Sequence, residues 1–198
     1  MAIIVDKVQK KRDIALSCKD LFVSKGINDL TISEVAKTAG VGKGTIYEYF
    51  SNKEEIVFEI VNLLMQEHNI KKEKKMQENI RAKEKIKAFS DFFYAEDEKE
   101  LRAIYKEFIS ISLLNPKSPL LEFQSSCSDK YFSWFQEIIQ EGIDKKELIP
   151  NSMQFARGLF VLGEGIFVSS EITNRVSDVK EELDTFIDAL FELIEVKK

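Results

Sequence analysis

Residues 31–55, TISEVAKTAGVGKGTIYEYFSNKEE, decide how the rest of the chain is read. Thr31 opens a helix with a capping box, its hydroxyl accepting from the Glu34 amide while the Glu34 carboxylate reaches back. Val35, Ala36 and Ala39 recur near one apolar face, and Gly40 permits the positive φ that ends a helix. Gly42 to Phe50 then sets two glycines, a lysine, a threonine and two tyrosines around apolar Ile46 and Phe50. Two short helices joined by a glycine-containing turn outline a helix-turn-helix, whose second helix enters a DNA major groove. Ser51 or Asn52 starts the next helix, because each has a glutamate three residues on, Glu54 or Glu55.

The second helix has a physical reading of its own. Ile46 and Phe50, four apart, anchor it to the helices before it. Gly44, Thr45 and Glu48 project roughly opposite that edge, and Lys43 and Tyr47 lie i, i+4 along one flank. Glycine near the helix start lets backbone approach DNA closely. Lys43 can reach guanine acceptors or the backbone, and Thr45 can donate to a base or touch a thymine methyl. Tyr47, Tyr49 and Lys53 suit phosphates, which fix register rather than sequence. Glu48 repels phosphate unless it accepts from a cytosine amine. The competing reading is a helical turn with a polar surface and packed tyrosines.

Working outward, the charge is unevenly placed. The net charge is −5, yet residues 1–53 hold nine Lys/Arg against six Asp/Glu, a surplus of three, which leaves −8 on the remainder. A mildly basic head on an acidic body suits a protein that meets phosphates at one end. Lys7, Lys10, Lys11 and Arg12 open a first helix expected over about 7–25, with the apolar stripe Ile14, Ala15, Cys18, Leu21 and Phe22 and a stop at Gly26. That basic cluster is either a solvated face or a set of phosphate contacts.

The stretch resembles the DNA-binding head of the tetracycline-repressor (TetR) family of bacterial transcriptional regulators. The matching residues are Leu21-Phe22, Gly26, Leu30-Thr31-Ile32, Val35-Ala36, Ala39-Gly40-Val41, Lys43-Gly44-Thr45-Ile46-Tyr47, Tyr49-Phe50 and Asn52-Lys53-Glu54, about the first quarter of the chain. The resemblance implies an all-α fold: a three-helix head over residues 1–53, a long fourth helix over about 54–75, and a helical ligand-binding and dimerisation body within residues 54–198. It implies a homodimer that places two heads on a palindromic operator in double-stranded DNA. DNA contact carries over to Thr31, Ser33, Lys43, Gly44, Thr45, Tyr47, Tyr49 and Lys53. Gly42 belongs to the same site but stands where the family often has serine, so a side-chain cap is lost there, although glycine is an acceptable N-cap.

The body reads as helices over about 80–94, 98–114, 119–147, 151–172 and 177–196, broken at Asn115-Pro116-Lys117-Ser118-Pro119 and Pro150-Asn151-Ser152. It holds twelve of the 15 phenylalanines. Phe89, Phe92, Phe93, Tyr105, Phe108, Tyr131, Trp134 and Phe135 form either an aromatic core or, as the resemblance implies, an apolar ligand cavity oriented by the Tyr105 or Tyr131 hydroxyl. The last helix carries Leu183, Phe186, Ile187, Leu190 and Phe191 and pairs with one carrying Leu159, Leu162, Ile166 and Phe167, where Gly158, Gly163 and Gly165 allow close approach. By resemblance, these two helices (Gly163 among their contacts) and their symmetry mates form a four-helix dimer interface. A purely intramolecular core is the other account.

Other features narrow the function classes. Leu64 completes a buried stripe of Ile56, Val57, Ile60 and Val61 on the long helix, and Lys71–Lys87, with eight basic and three acidic residues, reads as a solvated face and bend. His68, the only histidine, has no Cys or His partner in register, so it is expected on the surface, with no metal. Cys18 and Cys127 read as small buried hydrophobes in a reducing cytoplasm. Arg157 and Glu164 are isolated charges in apolar surroundings, either ligand-orienting, ion-paired or exposed. No signal segment, membrane span, phosphate loop or acid–base constellation is present, so neither a cofactor nor an enzyme is expected. The reading is a cytoplasmic, homodimeric regulator, a repressor released by a small hydrophobic ligand. The alternatives are a regulator of the same fold without such a ligand and, further off, a helical enzyme.

Overall fold

A computed structural model describes residues 6–78, 80–114, 119–173 and 175–197, apart from the side chains of Asn28 and Pro119. The described residues form helices α1 (Lys7–Ser17), α2 (Lys19–Asp29), α3 (Ile32–Thr38), α4 (Lys43–Tyr49), α5 (Lys53–Gln77), α6 (Ala82–Ser90), α7 (Lys99–Leu114), α8 (Pro119–Asp144), α9 (Ala156–Ile172) and α10 (Val179–Ile194). Short 3-10 turns precede α7 and α9. The fold is all-α, as the sequence implies. The expected break at Asn115-Pro116-Lys117-Ser118 lies outside the described residues.

The chain divides into two compact units, one from the described parts of Met1–Asn69 and Glu100–Ile111, the other from those of Ile70–Lys99 and Ser112–Lys198. Both α5 and α7 contribute to each. In the first unit, Ile14, Ala15, Cys18, Phe22, Leu30, Val35, Ile46, Phe50, Ile56, Val57 and Ile60 are buried. The single helix expected over 7–25 is two. Cys18 leaves helical geometry (φ −99°, ψ 1°), and the helix breaks where the Ser17 hydroxyl donates back to the Ile14 carbonyl at 2.7 Å, competing with the backbone ladder. Gly26 breaks α2 as expected, at φ +77°.

Two polar residues of α5 differ from expectation. His68 is 6% exposed and Lys72 likewise, rather than on the surface. They extend the stripe that begins at Val57 and Val61, because positions 57, 61, 68 and 72 recur at helical spacing. Leu64 is only half-buried, and Leu63 is buried instead. Asn52, not Ser51, caps α5, accepting from the Glu55 amide at 2.8 Å while Glu55 accepts from the Ser51 amide at 2.8 Å.

The second unit is built around Ile86, Phe135, Ile138, Ile139, Leu148, Leu159, Ile187, Phe191 and Ile194, supplied by α6, α8, α9, α10 and the segment after α8. Lys85, 4% exposed, reaches Glu141 at 2.7 Å, so the basic run 71–87 is not wholly solvated. Lys83 and Lys87 of α6 both pair with Asp188 of α10, at 2.7 and 2.8 Å. Their ammonium groups hold the Asp188 carboxyl below its usual range. The Glu147 carboxylate accepts from the Ala82 amide at 2.8 Å and so caps the N-terminus of α6.

Candidate nucleic-acid interface

The helix-turn-helix forms for local reasons that the sequence states openly. Thr31 is the N-cap of α3, its Oγ1 accepting from the Glu34 amide at 3.3 Å and donating to Glu34 Oε2 at 2.8 Å. The Thr31 amide donates to the same carboxylate at 3.2 Å, which closes the capping box. Lys25 also pairs with Glu34, and these bonds, Lys25 foremost, hold its carboxyl below the ordinary range. α3 ends in a Schellman turn: Gly40 takes φ +66°, Val41 N–H reaches the Ala36 carbonyl at 3.0 Å and Gly40 N–H the Lys37 carbonyl at 3.3 Å.

A helix of seven residues such as α4 does not hold itself together in water, so tertiary anchors must hold it. Ile46 and Phe50 supply them, at 0% and 1% exposure, and each buried side chain contributes about 1.5–3 kcal/mol. The Lys11 ammonium sits 5.2 Å from the centre of the Phe50 ring and 3.8 Å from Glu59, and Arg12 donates to Gln66 at 2.9 Å. Half of the N-terminal basic cluster is thus engaged with the chain itself. The Cys18 thiol, buried as expected and its pKa pushed up by that burial, lies 3.6 Å from the Val35 carbonyl.

What remains outward on α4 is the set the sequence singles out. Lys43, Gly44, Tyr47 and Glu48 are exposed, Tyr47 by 60%, and Thr45 and Tyr49 are half-buried. Gly42 is the N-cap without a side-chain bond. Ser33 is exposed at the start of α3, and Lys53 is half-buried at the start of α5. Thr31 is exposed, but its one hydroxyl proton is already given to Glu34, so donation to a phosphate requires breaking the cap.

Gly44 is informative. A Cβ placed there meets nothing within 4 Å, so nothing inside the chain calls for glycine, which costs roughly 1 kcal/mol against alanine in a helix. A closely approaching DNA backbone, as the sequence leads one to expect at this helix start, would account for it. Gly44→Ala is therefore expected to leave thermal stability unchanged or raise it slightly, while weakening operator binding. Calorimetry beside an electrophoretic binding assay checks both, and a variant that binds as well as the wild type would remove this argument.

The comparisons with known proteins agree with the geometry. The family model described as "Bacterial regulatory proteins, tetR family" matches residues 18–60, which run from the α1–α2 break into α5. The HTH-type transcriptional regulator YhgD of Bacillus subtilis, whose own role is uncharacterised, is 26% identical over 145 residues, 72% of this chain and 74% of that one. The HTH-type transcriptional regulator QacR of Staphylococcus aureus is 27% identical over 132 residues, 63% of this chain and 65% of that one. A crystal structure of a TetR-family transcriptional regulator from Cytophaga hutchinsonii superposes with a TM-score of 0.80 at 19% identity, covering 99% and 100% of the two chains. Residues 18–60 of this chain form a TetR-family DNA-binding head. The chain is a DNA-binding helix-turn-helix transcriptional regulator.

The residues singled out for a ligand fall in both units. Tyr105 and Phe108 belong to the first unit. In the second, Phe89 meets Tyr131, Phe135 and Phe160 at ring-centre distances of 6.2, 5.6 and 6.3 Å, and Tyr131 meets Trp134 at 5.6 Å. Phe92 meets Phe93 at 5.2 Å. Burial pushes the Tyr131 phenol well above its ordinary pKa, with Cys127 and Glu98 adding to the effect. Cys127 itself is half-buried rather than buried. Phe132 and Phe160, 5.3 Å apart, join this cluster although the sequence does not mark them. Phe160 carries one signal, its three-residue offset from Gly163 on the same helix. Arg157 is exposed and sits over Phe132, its Cζ 3.6 Å from the ring centre, and Glu164 is half-buried.

The residues expected at a dimer interface divide in two. Leu159, Gly163, Phe167, Leu183, Ile187 and Phe191 are buried inside their own chain. At Gly163 an added Cβ would lie 2.5 Å from Phe93, so the ring packed there calls for glycine. Leu162, Ile166 and Leu190 are half-buried, and Phe186 is 44% exposed. The outward faces of α9 and α10 carry Val161, Ile172 and Leu193 beside Phe186, at 44%, 75% and 77% exposure. Gly158 and Gly165 are also exposed there, and a Cβ added at either would meet nothing within 4 Å.

Proposed function

We propose that this chain is a homodimeric repressor that grips a palindromic operator with two α4 helices and is released by a small hydrophobic ligand. The DNA-binding domain is the head, residues 1–53, and residues 54–198 form the ligand-binding and dimerisation body. The reading rests on one observation above all: the polar, glycine-containing face of α4 is the part of the helix-turn-helix that its own core leaves outward.

The dimer is supported by the outward faces of α9 and α10. Leu193, Ile172, Phe186 and Val161 leave apolar surface in water, and Gly158 and Gly165 give up helix propensity with no internal packing in return. A second copy seated on those faces accounts for both. In the dimer, two heads sit one helical turn of DNA, or a multiple, apart. Sedimentation is expected to give twice the 22.8 kDa chain mass. Replacing Phe186 and Leu193 together by aspartate is expected to give a folded monomer with weakened operator binding. A wild-type monomer at micromolar concentration would contradict the dimer.

For the ligand, the supporting feature is the cluster of Phe89, Tyr131, Trp134, Phe135 and Phe160, apolar rings with the half-buried Tyr131 among them. A ligand that prefers a body conformation with a different head spacing lowers operator affinity by its differential binding energy. Titration of hydrophobic compounds while watching Trp134 fluorescence and operator release tests this. Release without any such compound, by a protein partner, would favour the regulator of the same fold that takes no small ligand.

A further inference from the structure

Two carboxylates of α7 hold α2, and nothing in the DNA-reading surface accounts for them. Glu107 accepts a hydrogen bond from the Ile27 amide, immediately after the break at Gly26. Glu100, seven residues earlier on the same face of α7, pairs with Lys19 at 2.8 Å. The spacings match: seven residues of α7 rise about 10.5 Å, and the eight from Lys19 to Ile27 would rise about 12 Å as continuous helix. The contact is close as well as polar, since a Cβ on Gly26 would lie 2.6 Å from Glu107 Oε1. Gly26 is therefore fixed twice, by its positive φ and by the carboxylate above it. Ile104 and Phe108, on the same stretch of α7, are buried at 2% and 3% exposure, so the helix is seated and not merely tethered.

We propose that Glu107, with Glu100 as a second point, is a positioning residue that locks the helix-turn-helix head to α7 and thereby sets its affinity for the operator. The inference rests on the DNA-binding reading and deepens it. α7 is one continuous helix whose middle, Glu100–Ile111, belongs to the first unit and whose ends belong to the second. A shift of α7 is thus delivered to α2 at two points, and through α2 to the core that seats α3 and α4. The locked head is the operator-competent one, because a head free to swivel must be ordered again on binding. Burial pushes the Glu107 carboxyl above its usual range, with Asp29 adding to that and the Ile27 hydrogen bond and Lys53 opposing it. The geometry asks only for an acceptor oxygen on the Ile27 amide, which the neutral amide of glutamine also supplies.

The test uses the full-length chain and three variants, Glu107→Ala, Glu107→Gln and Glu100→Gln. Amide exchange at Ile27 and affinities for a selected operator and for unrelated duplex are measured at one salt concentration. Glu107→Ala is expected to speed Ile27 exchange by ten-fold or more and to weaken operator binding by up to roughly ten-fold, the loss of one hydrogen bond. Binding to unrelated duplex should stay within about two-fold, because nonspecific binding is carried by phosphate charge. Glu107→Gln should restore both readouts, and Glu100→Gln should produce a smaller loss of the same kind. Unchanged Ile27 exchange in Glu107→Ala would overturn the lock, and so would faster exchange with full operator affinity. If the wild-type chain selects no operator, the DNA-binding reading fails, and Ile27 exchange alone then judges the contact.

Discussion

Alanine at Lys43 is expected to weaken specific operator binding by about 1–3 kcal/mol for a lost base contact, roughly five- to 150-fold, and alanine at Tyr47 to weaken duplex binding as well, neither of them unfolding the chain. Both side chains are exposed on α4 and neither belongs to the core that holds the helix, which rests on Ile46 and Phe50. Surface changes of this kind move stability by about 0.5 kcal/mol or less. The two substitutions should also differ in character. A residue that reads a base relaxes the preference at one position of the site. Loss of a residue that holds a phosphate weakens all sequences alike, and it lowers the salt slope by about one only where that residue is a cation, so a phenol such as Tyr47 leaves the slope unchanged. Lys43, at the start of α4, is placed for the first behaviour and Tyr47, one turn later with its phenol in solvent, for the second. Binding isotherms for operator and unrelated duplex separate them, and unchanged binding in both variants would remove α4 as the recognition helix.

Gly142→Ala is expected to be the most damaging of the conservative changes, lowering stability by about 1–3 kcal/mol. A Cβ at Gly142 of α8 would lie 2.8 Å from the Ala82 Cβ and 2.8 Å from Leu148 Cδ1. The leucine can rotate away, but the Ala82 Cβ is fixed to the backbone at the first turn of α6. That turn is already fastened to α8 and its following segment by Lys85–Glu141 and by Glu147 on the Ala82 amide. The two helices must therefore separate, against those bonds and against the packing of Ile86, Ile138 and Ile139. For a chain of this length each kcal/mol corresponds to roughly 2–4 °C of melting temperature. Gly44→Ala is the control: its Cβ meets nothing within 4 Å, so gained helix propensity should hold or raise the melting temperature of the chain. Equal melting temperatures for Gly142→Ala and wild type would show that α6 and α8 are not so closely set.

The parts of this protein that can be read from the sequence are those whose causes are local. The capping box of Thr31 and Glu34 and the positive φ of Gly40 each depend on a few neighbouring residues, and all appear where the sequence places them. Cys18 lies inside an unbroken apolar stripe, so periodicity runs straight through it, and the break follows from a side-chain hydrogen bond at Ser17. Residue type alone sends His68 and Lys72 to the surface, although helical spacing puts them on the buried stripe of α5. The α9 and α10 stripes show a further limit. Periodicity tells that one face of a helix is covered but not by what, and the residues it picks out are covered mostly by their own chain. The outward apolar residues, Ile172 and Leu193 among them, are visible only once the packed face is known. The Glu107 contact bridges eighty positions in sequence and leaves no local pattern at all.

Selection of bound duplexes from a random DNA library by the purified full-length chain tests the central claim most directly. The account predicts enrichment of a palindrome whose half-sites are centred one helical turn, about 10 base pairs, or a multiple apart. The enrichment should be lost when Lys43 and Tyr47 are both alanine. A library that emerges without any enriched sequence, or a palindrome that the double variant selects equally well, would contradict it.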